Sequence, residues 1–119
     1  MTTPRKILLI DNGSDRKQRI KALADRGYKV FPALRMEEAR SRCSHGGYDL
    51  IVVHANGEQQ RALEFCDEIR RSCPKQLLVM SGDQNSGRDY AVQDDMSSLV
   101  HRVDEMLQNQ ARSDLASAA

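Results

Sequence analysis

The segment Asp49-Leu50-Ile51-Val52-Val53-His54 decides the fold. It opens on an acid, runs through four aliphatic residues without alternation, and stops at an imidazole. A short unbroken apolar run is the pattern of a strand buried on both faces, as in a parallel sheet covered by helices. Such a strand delivers a polar group at its C-terminal tip, where sheets of this kind collect their functional residues. The group delivered here is His54.

Working outward, Lys6 to Ile10 predicts a second buried strand, ending at Asp11-Asn12-Gly13. Ser14 or Asp15 then caps a helix that runs to Arg26 and stops at Gly27, with Ile20, Leu23 and Ala24 inward. Tyr28 to Phe31 predicts a strand, and Pro32 behind it suits an edge, where a missing donor costs little. Met36 to His45 predicts a helix ended by Gly46-Gly47. Glu58 to Ser72 predicts another, with Ala62, Phe65, Cys66, Ile69 and Cys73 at inward spacing. Gln76 to Met80 is a strand ending at Ser81-Gly82, and Tyr90 to Val92 a short fifth one. A last helix spans Met96 to Gln110, with Leu99, Val100, Val103 and Leu107 inward. One domain over 1–111 is expected, followed by a flexible tail over 112–119.

Alternating strand and helix predicts a parallel sheet with helices on both faces. Its strand tips gather Asp11 and Asn12, His54, Ser81 and Gln93. One connection breaks the alternation. Only seven residues, Gly82 to Arg88, separate Ser81 from Asp89. At ~3.3 Å per residue they span roughly 23 Å, longer than a typical strand of ~17 Å. A fourth crossover helix does not fit, but an extended return to a parallel fifth strand does. An antiparallel hairpin is the alternative, and Gly82, Asn85, Ser86 and Gly87 suit either loop.

Composition narrows the function classes. The chain has 119 residues, enough for one core, and a net charge of +1. That balance argues against nucleic acid as an obligatory partner. No apolar run approaches the ~20 residues of a bilayer span, and the N-terminus lacks a signal-peptide pattern, so the cytoplasm is expected. Cys43, Cys66 and Cys73 form no metal-like spacing and leave one unpaired in any disulfide scheme. Charge is asymmetric: residues 1–35 carry nine Lys or Arg against three Asp. The excess sits in Arg16, Lys17, Arg19, Lys21 and Arg26, and an acidic cluster lies at Asp83, Asp89, Asp94 and Asp95. Both read as solvated faces, or as a docking surface for an acidic partner or for head-to-tail self-association.

Taken together, these elements resemble the receiver domain of bacterial response regulators over roughly residues 5–108. The first strand with its acidic tip, the Leu50–Val53 strand, Leu63-Glu64-Phe65 and Asp89-Tyr90-Ala91-Val92 carry the resemblance. It implies a flavodoxin-like, doubly wound sheet of five parallel strands in the order 2-1-3-4-5, here with the fourth helix missing. It also implies a phosphorylation site: two acids after the first strand helping to hold Mg²⁺, an acceptor aspartate after the third, Ser or Thr after the fourth, and Lys after the fifth. This sequence departs at three positions. The acid pair is Asp11-Asn12, the acceptor position is His54, and the lysine position is Gln93. Asp11 and Ser81 keep the expected type. Mg²⁺ prefers hard oxygen ligands in octahedral geometry, and one carboxylate, one amide and one imidazole make a poor site.

The expectation is therefore an atypical receiver, neither enzyme nor cofactor binder, acting by contact with a signalling protein such as a histidine kinase, or by dimerisation. His54 is expected to hydrogen-bond Asp11 or a backbone carbonyl. Tyr90 and Val92 are expected at an interaction face, because a missing helix leaves apolar sheet exposed beside them. Tyr90 lies where the family has an aromatic coupled to the hydroxyl of the fourth strand tip. The alternatives are a phosphorylatable, metal-binding or pH-sensing site built from His54 and Asp11, and a nucleotide-binding flavodoxin-like domain. The loop Asp11-Asn12-Gly13-Ser14-Asp15 is no glycine-rich phosphate cradle.

Overall fold

The computed structural model describes residues 4–82, 87–93 and 95–118, with the side chains of 43–45 and 111–118 outside the description. Five strands form one sheet: β1 (Lys6–Ile10), β2 (Lys29–Ala33), β3 (Leu50–His54), β4 (Leu77–Gly82) and β5 (Ala91–Gln93). Their order is β2-β1-β3-β4-β5, and every pairing is parallel. Four helices alternate with them: α1 (Arg16–Ala24), α2 (Met36–His45), α3 (Gln59–Ser72) and α4 (Met96–Ala118).

The period of two along each strand sorts the core into two layers. Leu8, Ile10, Ile51, Val53, Leu78 and Met80 pack with Phe65, Cys66 and Ile69 of α3. Ile7, Leu9, Leu50, Val52 and Val79 pack with Leu23 of α1 and with Leu99, Val103 and Leu107 of α4. Every residue of β3 is buried, which is why its sequence shows no alternation. Pro32 lies on edge strand β2 opposite Leu9. Lys29 and Ala33 bond across to β1, through Lys29 N to Arg5 O and Asp11 N to Ala33 O. Alternate residues face the neighbour, so the donor that Pro32 lacks points away from the sheet.

Several expected boundaries move. Strand β5 is parallel to β4, so the hairpin is excluded. The described part of the short connection, 87–90, holds no helix, and 83–86 lie outside the described residues, as do Asp83 and Asp94 of the acidic cluster. Helix α4 continues through Arg112 to Ala118, where a flexible tail is expected from the sequence. Nothing between Met96 and Ala118 breaks a helix, and alanine recurs near its end. Helix α1 stops at Ala24, and Ala24 is exposed. Cys73 is exposed because the chain leaves the helix there, whereas Cys66 is fully buried and its thiol is pushed up to about 12 by burial. The side chain of Cys43 lies outside the description.

Tyr28 ties the start of β2 to α4 by donating its hydroxyl to Asp104, which Arg26 also meets at 2.6 Å. Burial, then the hydrogen bond and charge of Asp104, push this phenol up from 10.0 to about 12. A pKa raised on folding contributes stability that is full below the unfolded value and lost as pH rises through the folded one. Part of the stability should therefore disappear between pH 10 and about 12. Tyr28→Phe should flatten that loss, read as urea midpoints at pH 9 and pH 11. Burial also raises Tyr90 and Cys66, so the variant should keep some alkaline sensitivity.

Candidate functional site

The parallel register brings the tips of β1, β3 and β4 side by side, with His54 opposite Ser81. His54 is 8% exposed and Ser81 2%. His54 Nδ1 lies 2.9 Å from Ser81 Oγ, and Ala55 N donates to Ser81 O at 3.0 Å. The imidazole is thus fastened to β4. The sequence leads one to expect Asp11 or a backbone carbonyl as its partner; the side-chain contact described is with Ser81.

Asp11, 1% exposed, pairs elsewhere. Its Oδ1 accepts from Gly13 N at 2.7 Å and from Arg19 Nη2 at 3.2 Å, while Oδ2 accepts from Arg19 Nε. Arg19 is itself 8% exposed and reaches in from α1. Such two-point contact is the strongest geometry available to a guanidinium and a carboxylate. Gly13 makes room for it. A Cβ there would lie 3.0 Å from Arg19 Nη2 and 3.1 Å from both Asp11 Oδ1 and Asn56 Oδ1. Beside it, Asn56 Nδ2 donates to Asn12 Oδ1 at 2.8 Å, joining the loops after β1 and β3.

Sequence reasoning places Arg19 among the solvated charges of α1. The available signal is its spacing, four residues before buried Leu23 and beside half-buried Ile20. Its neighbours Lys17 and Lys21 are exposed. With Arg19 included, Asp11 no longer leaves the site with a net negative charge.

Two clefts flank His54. One, of about 310 Å³, lies towards Asp11, Asn12, Arg35, Glu58 and Arg61. The other, of about 300 Å³, is lined by Ser14, Asp15, Arg19, Asn56, Ser81 and Asp95 among others. Gln93 is exposed and lines neither. Asp95 caps α4, accepting from Ser98 N at 2.7 Å and Ser98 Oγ at 2.8 Å, and these bonds lower its pKa. The donor set does not fit Mg²⁺. Its one buried carboxylate is occupied by Arg19, and no three His, Cys, Asp or Glu among the described residues converge on a metal position.

Tyr90 does not sit on an exposed face. It is 3% exposed, and its hydroxyl donates to Asp67 Oδ1 of α3 at 2.7 Å. Arg88 pairs with Asp67 at 2.8 Å, and the Arg70 guanidinium stands 5.5 Å above the ring. Bonds from Arg88 and then Tyr90 lower the Asp67 pKa. Arg70 also meets Asp89 of the expected acidic cluster at 3.2 Å. Val92 is half-buried against the α1–α4 layer. The expected apolar patch is absent among the described residues, where Leu34 is the exposed large hydrophobic residue. The reason is that Tyr90 packs with Leu78 and Met80 of β4 and α3 supplies its partners.

No family model and no curated protein matches this chain. Solved structures do. A CheY-like response-regulator receiver domain protein from Methanospirillum hungatei superposes with a TM-score of 0.75 at 16% identity, covering 93% of this chain and 99% of that one. A response regulator from Thermotoga maritima gives 0.72 at 18%, covering 89% and 99%. The T. maritima response regulator TrrA, in complex with the histidine kinase ThkA, gives 0.70 at 19%, covering 87% and 98%. At such identities the likeness speaks for architecture: this chain has the CheY-like fold of response-regulator receiver domains.

Proposed function

We propose that this chain is a receiver-type signalling domain that works by protein contact and not by phosphoryl transfer. The observation that carries the reading is the exchange at the strand tips. An imidazole held by Ser81 stands where the family's acceptor carboxylate would be, and Arg19 already neutralises the remaining acid, Asp11. Aspartyl phosphate needs an aspartate, and His54 offers none. A transferred phosphoryl group also needs its charge neutralised as it moves. Gln93 supplies no cation, the cleft beside Ser81 is lined by Asp15 and Asp95, and the guanidinium in it is engaged.

On this reading the domain is not an enzyme and needs no cofactor. Its partner is another protein of a two-component pathway. One fold neighbour is seen with a histidine kinase, which supports that class of partner. Among the described residues no helix is long and apolar enough to cross a membrane, and we place the domain in the cytoplasm. A partner reaches it through polar and charged surface, such as Lys17 and Lys21 on α1, because the Tyr90–Val92 face offers no open apolar sheet.

The test is intact-mass spectrometry after incubation with acetyl phosphate and Mg²⁺. The expected spectrum is unchanged. An added phosphoryl group that maps to His54, Asp11 or Ser81 overturns the reading.

A further inference from the structure

We propose that Arg19 is a built-in cation, a side chain standing in for the metal and lysine that a receiver site otherwise draws on. Four observations place it there. The guanidinium is nine-tenths buried although it belongs to the most basic helix of the chain. It meets a fully buried carboxylate at two points. Gly13 leaves it space, since a Cβ there would stand 3.0 Å from Nη2 and the guanidinium would have to give by a few tenths of an ångström. The two positions that would supply a second acid and a lysine hold Asn12 and Gln93, both exposed and neither charged.

Burying an acid without compensation is costly, and the group usually neutralises or acquires a partner. In a metal-dependent site that partner comes from solution, so the loops around it respond to ligand. Here it is covalently part of α1. The contacts that hold the loops together, Gly13 N to Asp11, Asn56 to Asn12 and Arg19 to Asp11, are complete without ligand. The consequence is a domain held in one arrangement, indifferent to divalent cations. This deepens the reading above but fails separately from it. Phosphodonor labelling tests the acceptor, whereas the following experiment tests the cation.

Thermal unfolding is compared with and without millimolar Mn²⁺ for the wild-type chain, Arg19→Met, and Asp11→Asn/Arg19→Met. The wild type should not respond to Mn²⁺. Arg19→Met should lose on the order of 10 °C in Tm, because it strands Asp11. It should regain several degrees with Mn²⁺, reversed by a chelator. The double variant should recover much of the lost Tm and ignore Mn²⁺. If Arg19→Met does not fold but the double variant does, the assignment stands, since neutralising Asp11 removed the need for Arg19. Three results overturn it: a wild type stabilised by Mn²⁺, an Arg19→Met variant indifferent to Mn²⁺, or a double variant no more stable than Arg19→Met.

Discussion

Replacing Tyr90 by alanine is expected to cost about 3–5 kcal/mol of folding stability, the range for removing a buried aromatic ring. Tyr90 shares a core layer with Leu78, Met80, Phe65 and Ile69. It follows a connection too short for a crossover helix, and it packs against β4 and α3. Removing the ring therefore leaves a hole between β4 and α3, next to Phe65 and Ile69. Against a typical total of about 5–15 kcal/mol, the variant should sit near its unfolding threshold and bind a hydrophobic dye such as ANS. Tyr90→Phe separates ring from hydroxyl. It keeps the packing and loses the bond to Asp67, for about 1 kcal/mol. Urea unfolding of the two variants checks the division. Equal losses would mean that the Asp67–Arg88–Tyr90 network, and not the ring, closes this face.

The same residue shows where sequence reasoning reaches its limit. Tyr90 was legible as the aromatic before a short strand, and the lack of room for a crossover helix was legible from the seven-residue connection. What covers the gap was not, because it depends on Asp67 and Arg70, which lie on α3 and come near only once the sheet has formed. The strands themselves were legible because burial on both faces leaves a run that needs no partner to be recognised, as in Leu50–Val53. Arg19 was hidden for the opposite reason. A charged residue on a basic helix reads as solvated, and only the long-range approach of Asp11 turns it inward. The positions of Asn12, His54 and Ser81 followed from strand tips alone. Their hydrogen bonds did not, since these depend on which side chains of other elements come within reach once the sheet has formed.

The second large effect concerns His54 itself. Placing a carboxylate at this tip by His54→Asp should fail to create phosphate acceptance and should weaken the fold. The side chain at this position is almost wholly enclosed, beside Ser81 and on the same cleft as Asp11. A second carboxylate there has lost most of its water and has no cation of its own, because Arg19 is committed to Asp11. Burial and the like charge both raise its pKa above the unfolded value of about 3.9. The sign then follows. A group with a raised folded pKa contributes fully below the unfolded value and loses that contribution as pH rises through the folded one. His54→Asn serves as the neutral reference. The Asp variant should be less stable than the Asn variant by about 2–4 kcal/mol at pH 7, with the gap closing towards pH 4. Urea midpoints of the two variants at both pH values give the comparison. Acetyl phosphate with Mg²⁺ should label neither, since Asn12 and Gln93 still withhold an acid and a lysine. Labelling of His54→Asp would show that a carboxylate at this tip is all that phosphate acceptance requires. A gap that does not narrow at low pH would show that shape at this strand tip, and not charge, sets the cost.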